Sequence, residues 1–378
     1  MLFKKIRCFL NREPILCVSF VLAACSCLFV APDAQYLAYF DLRTLILLFS
    51  LMTIVAGLQS LGIFERLARR LMANVRTRRQ VYFILVGLCF FSSMAVTNDV
   101  ALITFVPFGL MVLKMLRMDD EALPLVAYQT VAANLGSMLT PIGNPQNLYL
   151  YSISGMAAGR FMRLMLPLTL LSALALAALL LCRKDAPVGV SEELPPAAPQ
   201  PGRRGRLALY LLLFAMSILV VLRVLQPLFL FPCVLLCVLI ADRQTLLRVD
   251  YALLATFACF FVFIGNVGRI AAVRAALQAI LAGREMAVAF FTSQAISNVP
   301  AALLLAGFTK RLDALLYGVN IGGLGTLIAS LASLISYKYF ARAYPAKKGR
   351  YVAFFTILNV CLAAVLLAAG HLLLSFSG

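Results

Sequence analysis

The chain has 378 residues, of which 63% are apolar and only 13% charged, with a mean hydropathy of +0.97. Soluble domains are about half apolar and a quarter charged, so this composition excludes a soluble enzyme or binding module and supplies material for about 10 to 12 membrane spans. The net charge of +18 would suggest nucleic acid in a soluble protein, but in a membrane chain basic residues mark the cytoplasmic ends of spans, and no nucleic-acid partner is expected.

In chain order, Lys4, Lys5, Arg7 and Arg12 precede an apolar run at 15–31, and a second run covers 42–62. An Arg-rich amphipathic stretch at 65–80 is expected to lie on the membrane surface. Two runs at 81–97 and 99–116 then meet at Thr97-Asn98-Asp99, too closely coupled for separate spans. They predict a hairpin over 81–116 that enters the membrane, turns at a polar tip and returns to the same side. Residues 122–150 predict a span broken at mid-membrane by Gly136, Pro141, Gly143 and Pro145, and 161–182 a further span. Segment 183–206, with Pro187, Pro195, Pro196, Pro199 and Pro201 among small and charged residues, reads as an unfolded cytoplasmic linker. Spans follow at 207–225, 228–241 and 251–268, with an amphipathic stretch at 270–284. A second hairpin, 286–308, turns at Ser297-Asn298-Val299. A second broken span, 314–336, carries Gly322, Gly323 and Gly325, and a last span covers 351–374.

With the N-terminus in the cytoplasm, 24 of the 33 basic residues fall on the cytoplasmic side and 9 on the other, which supports this orientation and places the C-terminus outside. Eight of the ten cysteines lie in apolar runs, where a thiol behaves as a small buried hydrophobe, so neither a disulfide framework nor a metal centre is expected beyond a sodium site. One histidine, His371, and one carboxylate at membrane depth leave no catalytic set. The chain therefore reads as a non-enzyme without a cofactor.

The two halves match at their most polar positions. Ser93 to Ala101 aligns with Ser293 to Ala301, sharing Ser, Ala, Asn and Ala, and Asn134 to Leu148 aligns with Asn320 to Leu334, with Asn134/Asn320, Gly136/Gly322 and Thr140/Thr326 among the identities. The expected fold is an all-α polytopic membrane protein with two inverted-topology repeats, each holding a re-entrant helical hairpin and a broken transmembrane helix. The first repeat covers 1–182, the linker 183–206, a connecting span 207–227 and the second repeat 228–378. Inverted repeats of this kind mark secondary transporters, with the site at the repeat interface near the midplane. Broken backbone inside the bilayer is tolerated where it lines a cavity, and helix N-termini there bind an anion without a Lys or Arg. Carbonyls around Gly136 and Gly322, with the Thr97, Asn98, Ser297 and Asn298 side chains, suit a cation beside it. Asp99 is the only acidic residue placed at membrane depth, either as a proton carrier or cation ligand or as the cap of the returning helix.

At these residues the sequence resembles the ion transporter superfamily. The stretch Thr140-Pro-Ile-Gly-Asn-Pro-Gln-Asn147 is similar to the broken-helix motif of citrate and dicarboxylate permeases, arsenite permeases and the melanosomal P protein, and the two tips are similar to those of sodium-coupled dicarboxylate transporters. The resemblance implies substrate and cation binding by Thr97, Asn98, Thr140, Asn144, Pro145, Ser297, Asn298 and Thr326, with Asp99 and Pro141 beside them. It also implies a homodimer in an inner membrane. The third tip positions, Asp99 and Val299, depart from the threonine of the dicarboxylate carriers, and the Asn-Asp pair is more similar to the arsenite permeases and to proton coupling. The expected function is secondary active transport of a small anion, such as a di- or tricarboxylate, coupled to sodium or protons by alternating access. Arsenite or antimonite efflux and sodium/proton antiport are the alternatives within the superfamily, and a non-transporting sensor or scaffold is the alternative outside it.

Overall fold

The computed structural model describes residues 13–188 and 203–377. The described chain is built from α-helices, with three short 3-10 turns and irregular connections between them. Its first part runs through α1 (Pro14–Phe29), α2 (Leu42–Ser60), α3 (Ile63–Met72), a hairpin of α4 (Arg78–Ala95) and α5 (Asn98–Met115), a broken helix of α6 (Ala122–Ser137) and α7 (Pro145–Ser154), and α8 (Ala158–Leu181). After α9 (Arg203–Val221), the same succession returns: α10 (Pro227–Leu246), α11 (Tyr251–Arg269), α12 (Ala271–Leu281), a hairpin of α13 (Glu285–Ile296) and α14 (Asn298–Ala306), a broken helix of α15 (Leu312–Ile321) and α16 (Leu331–Ala343), and α17 (Lys348–Ser377). Among the described residues, seven helices are long and apolar enough to cross a membrane, and the bent pair α12 and α13, at 111°, makes an eighth if counted as one span. The protein is thus an all-α polytopic membrane protein. The basic residues before Glu13 and most of the proline-rich linker lie outside the described residues.

Several boundaries move, each for a local reason. The amphipathic stretch ends at Met72, because Thr77 and Gln80 form a capping box that starts the hairpin helix instead. The tenth helix passes its expected end at 241 through a kink at Asp242, whose carboxylate accepts from the Tyr210 hydroxyl at 3.2 Å and the Thr245 hydroxyl at 3.0 Å. Gly136 does not break a helix. It sits inside α6, and the break begins at Met138.

The two parts exchange contacts reciprocally. Helix α1 packs on α11 and α10 on α2, while α5 packs on α16 and α14 on α7. Asp41 caps α2 through the Thr44 N–H, and Asp250 caps α11 through the Leu253 N–H. On one face Glu121 gathers the end of α8 and the start of the first hairpin. Arg78 donates to it at 2.7 Å, the Tyr82 hydroxyl at 2.6 Å, and Arg183 donates to it while lying 4.6 Å over the Tyr82 ring. Beside it, the Arg79 backbone N–H at 3.0 Å holds the Asp185 carboxyl below the usual carboxylate range. Tyr344 donates to Asp119 at 2.6 Å and Lys347 to Asp120 at 3.0 Å, which ties the second part to the same face.

Hairpin and broken helix touch where side chains are smallest. A Cβ on Gly136 would stand 2.0 Å from the Phe90 carbonyl oxygen and 2.7 Å from Ser93 Oγ, and at the matching place a Cβ on Gly322 would stand 2.5 Å from Ser293 Oγ. Gly136→Ala is expected to destabilise the protein by about 2 kcal/mol through overpacking against rigid backbone. Gly159→Ala, whose Cβ meets nothing within 4 Å, is expected to be neutral or stabilising. Melting temperatures of the two purified variants in detergent check the contrast.

Candidate functional site

The break in each long helix frees backbone donors and acceptors in the interior, and each is met by the tip of its own hairpin. The Asn98 N–H donates to the Gly143 carbonyl at 3.1 Å, and the Asn298 N–H donates to the Ala329 carbonyl at 2.9 Å. Those acceptors are equivalent positions in the aligned breaks, so the two halves satisfy their backbones in the same way. The tips differ in backbone conformation at their first residue. Thr97 has φ −66, whereas Ser297 has φ +74, a left-handed conformation that costs a β-carbon residue about 1 kcal/mol or more.

Between the breaks, two buried asparagines reach across the halves. Asn134 Oδ1 accepts from Asn98 Nδ2 at 3.0 Å and from Ser330 Oγ at 3.2 Å, while Asn134 Nδ2 donates to Ser333 Oγ at 3.2 Å. Reciprocally, Asn320 Oδ1 accepts from Asn144 Nδ2 at 3.2 Å, and Asn320 Nδ2 donates to Asn147 Oδ1 at 2.7 Å. Ser330 and Ser333 are the aligned counterparts of Asn144 and Asn147, so each half-helix end is held by the other half's asparagine. Asn144 also caps α7 through the Asn147 N–H at 2.9 Å, and Asn147 Nδ2 donates to the Thr140 carbonyl at 3.2 Å. Four helix N-termini, those of α5, α7, α14 and α16, thereby start at this crossing.

A cavity of about 490 Å³ reaches the crossing from one face. Thr97 and Asp99 of the first tip line it, with Asn144 and Pro145 at the start of α7 and Val299, Pro300 and Leu331 from the second part. Leu48, Leu51, Met52 and Gln59 of α2 form one wall, and Glu13, Arg248, Asp250 and Lys338 contribute the charged lining. Asp99 is not the cap of α5. That position is Thr97, and Asp99 stands in the first turn with its backbone N–H on Asn98 Oδ1 at 3.0 Å. Asp99 Oδ1 is buried with no hydrogen-bond partner among the described residues. A carboxylate oxygen without a donor inside a protein is strongly disfavoured unless a proton or cation meets it.

The other sequence candidates take supporting places. Asn98, Ser297 and Asn298 are buried in the tips and hold the breaks. Thr140 donates to the Met94 carbonyl at 2.5 Å, Pro141 lies buried in the first break, and Thr326 is exposed in the second with its N–H on Gln294 Oε1 at 3.0 Å. Gly136 and Gly322 serve helix contact. Sequence reasoning missed the roles of Asn134, Asn320, Asn147 and Gln294, although Asn134/Asn320 headed the repeat alignment. Gln294 Nε2 donates to the Gly322 and Leu324 carbonyls at 3.0 and 2.8 Å and so supports the second break.

Asn134→Ala leaves the buried Asn98 amide and Ser330 hydroxyl without their acceptor and is expected to cost about 2 kcal/mol, and Asn320→Ala about the same. The double variant is expected to lose less than the sum, because both act at one crossing. Chemical or thermal denaturation of the three variants in detergent reads these losses.

The pattern of the citrate transporter family matches residues 9–314. The chain is 32% identical over 298 residues to the Uncharacterized transporter MJ0456 of Methanocaldococcus jannaschii, covering 78% of this chain and 80% of that one. It is 31% identical over 302 residues to the Inner membrane protein YbiR of Escherichia coli, covering 79% and 80%. The family pattern and both relatives match most of the chain, which belongs to the citrate transporter family and is a multi-pass membrane transporter.

Proposed function

We propose that the protein is a secondary active transporter of a small anion, a di- or tricarboxylate or another organic or inorganic anion, driven by sodium or protons through alternating access. The observation that carries this reading is the cavity that ends at two hairpin tips and two helix breaks, where four helix N-termini supply partial positive charge. Asp99 is the coupling group. Its unpartnered oxygen takes a proton or a sodium ion, and neutralising it removes the repulsion that a carboxylate exerts on an incoming anion. Asn98 and Asn298 hold the tips against the breaks. The reciprocal contacts of the two parts support an inverted arrangement in the bilayer, with the N-terminus cytoplasmic, the C-terminus on the opposite side, and an inner-membrane location like that named for the Escherichia coli relative. Homodimerisation belongs to the same proposal.

One observation favours a second reading, sodium/proton antiport: Asp99 offers the cavity a carboxylate oxygen without a donor, which suffices for competitive exchange of the two cations without an anion.

Purified protein in proteoliposomes, offered labelled citrate, succinate and arsenite under imposed sodium or pH gradients, tests both. Anion accumulation that needs one gradient supports the proposal. Asn98→Ala and Asn298→Ala are expected to reduce uptake at least about tenfold, and Asp99→Asn to remove the dependence on the driving cation while the fold persists. Unchanged uptake in the asparagine variants refutes the site. Sodium-driven proton release in the absence of every anion establishes the antiport reading instead.

A further inference from the structure

The cavity reaches the crossing from one face, and the matching order of elements in the two parts shows which residues occupy the corresponding place on the other. Helices α2 and α11 have the same length of 19 residues and start after capping aspartates, so Asp41 corresponds to Asp250 and each α2 position to an α11 position. The α2 residues that line the cavity, Leu48, Leu51, Met52, Ala56 and Gln59, thereby correspond to Phe257, Phe260, Phe261, Gly265 and Gly268. The aligned breaks relate Ile335 of the cavity wall to Tyr149 of α7.

At these corresponding positions the space is filled. The Tyr149 ring lies 5.8 Å from Phe261 and 6.3 Å from Phe257, Phe257 lies 6.1 Å from Phe261, and Phe40 meets Phe261 edge-on at 6.3 Å. Tyr39 lies flat on the helix where Gly265 leaves room, since a Cβ there would stand 2.4 Å from its ring. Along α11 the change is abrupt. Asp250, Leu253 and Thr256 still line the cavity, and the plug starts at the next residue, Phe257. Aromatic rings packed edge to face form a dense barrier that can part along ring faces without breaking a hydrogen bond.

We infer that Tyr39, Phe40, Tyr149, Phe257 and Phe261 form the closed gate of a second access route, which reaches the crossing from the face opposite the cavity. When the gate parts, α7 leaves α11 and this surface becomes the equivalent of the present cavity, while α16 closes on α2. The use of such a gate rests on the transporter reading, but its existence is a statement about accessibility and is tested without transport.

The test uses the full chain with its ten cysteines replaced and a reporter, Val299→Cys, at the second tip where it lines the cavity. A membrane-impermeant maleimide is added to right-side-out and to inside-out vesicles. The parent is expected to react from one face only. With Phe257→Ala and Phe261→Ala together, reaction from the other face is expected to rise about tenfold or more as the open state gains population. Phe257→Leu with Phe261→Met, which installs the residues found on the cavity side, is expected to give a smaller rise and guards against loss of fold. Retained labelling from the first face without any gain from the second, in both variants, overturns the gate, as does equal labelling of the parent from both faces. Uptake measured on the same vesicles separates the readings: a gain in labelling with no gradient-driven uptake by the parent under any condition keeps the gate and refutes the transport function.

Discussion

Everything in this molecule depends on satisfying backbone groups where two helices stop in the middle of the protein. A hydrocarbon interior offers no water to the N–H and C=O groups that a broken helix releases, and each one left unpaired is costly. The protein meets them from two directions. Each hairpin tip donates its asparagine N–H to the neighbouring break, at Gly143 or Ala329, and each break is gripped by an asparagine of the other half. Because Asn134 holds Ser330 and Ser333 while Asn320 holds Asn144 and Asn147, neither half is complete without its partner.

That reciprocity explains why the site combines rigidity with room for a ligand. The hydrogen bonds fix the positions from which α5, α7, α14 and α16 start, so several N-termini meet at one place. They consume the polar groups of the breaks, leaving Asp99 Oδ1 as an ionisable oxygen without a donor on the cavity side. Close packing of Gly136 on Phe90 and Gly322 on Ser293 binds each hairpin to its broken helix as one body. The contacts of α2 and α11 with that body differ sharply between faces. On one side Leu48 and Met52 face a cavity, and on the other Phe257 and Phe261 face a packed tyrosine.

The membrane class, the hairpin tips and the breaks were legible because their chemistry is local. Thr97-Asn98-Asp99 and Ser297-Asn298-Val299 interrupt apolar runs, and Thr140 to Asn147 packs two prolines, a glycine and two asparagines into one span. Placing Gly136 at the break failed for an equally physical reason. A glycine in an apolar helix signals either a bend or a close neighbour, and only the approach of Phe90 distinguishes them. Thr326 was matched to Thr140 by sequence, yet its side chain is exposed while Thr140 bonds to Met94.

The sequence by itself determined that this chain enters a membrane, that its polar interruptions come in pairs, and that one carboxylate lies among them, because composition and periodicity report solvent and secondary structure directly. Only the tertiary structure decided what those residues face. Asn134 and Asn320 lie 186 positions apart, and nothing along the chain says that each holds the other's break rather than its own. The tertiary structure also set the contrast between two equivalent helices, since Leu48 and Met52 of α2 line a cavity while Phe257 and Phe261 of α11 pack against Tyr149.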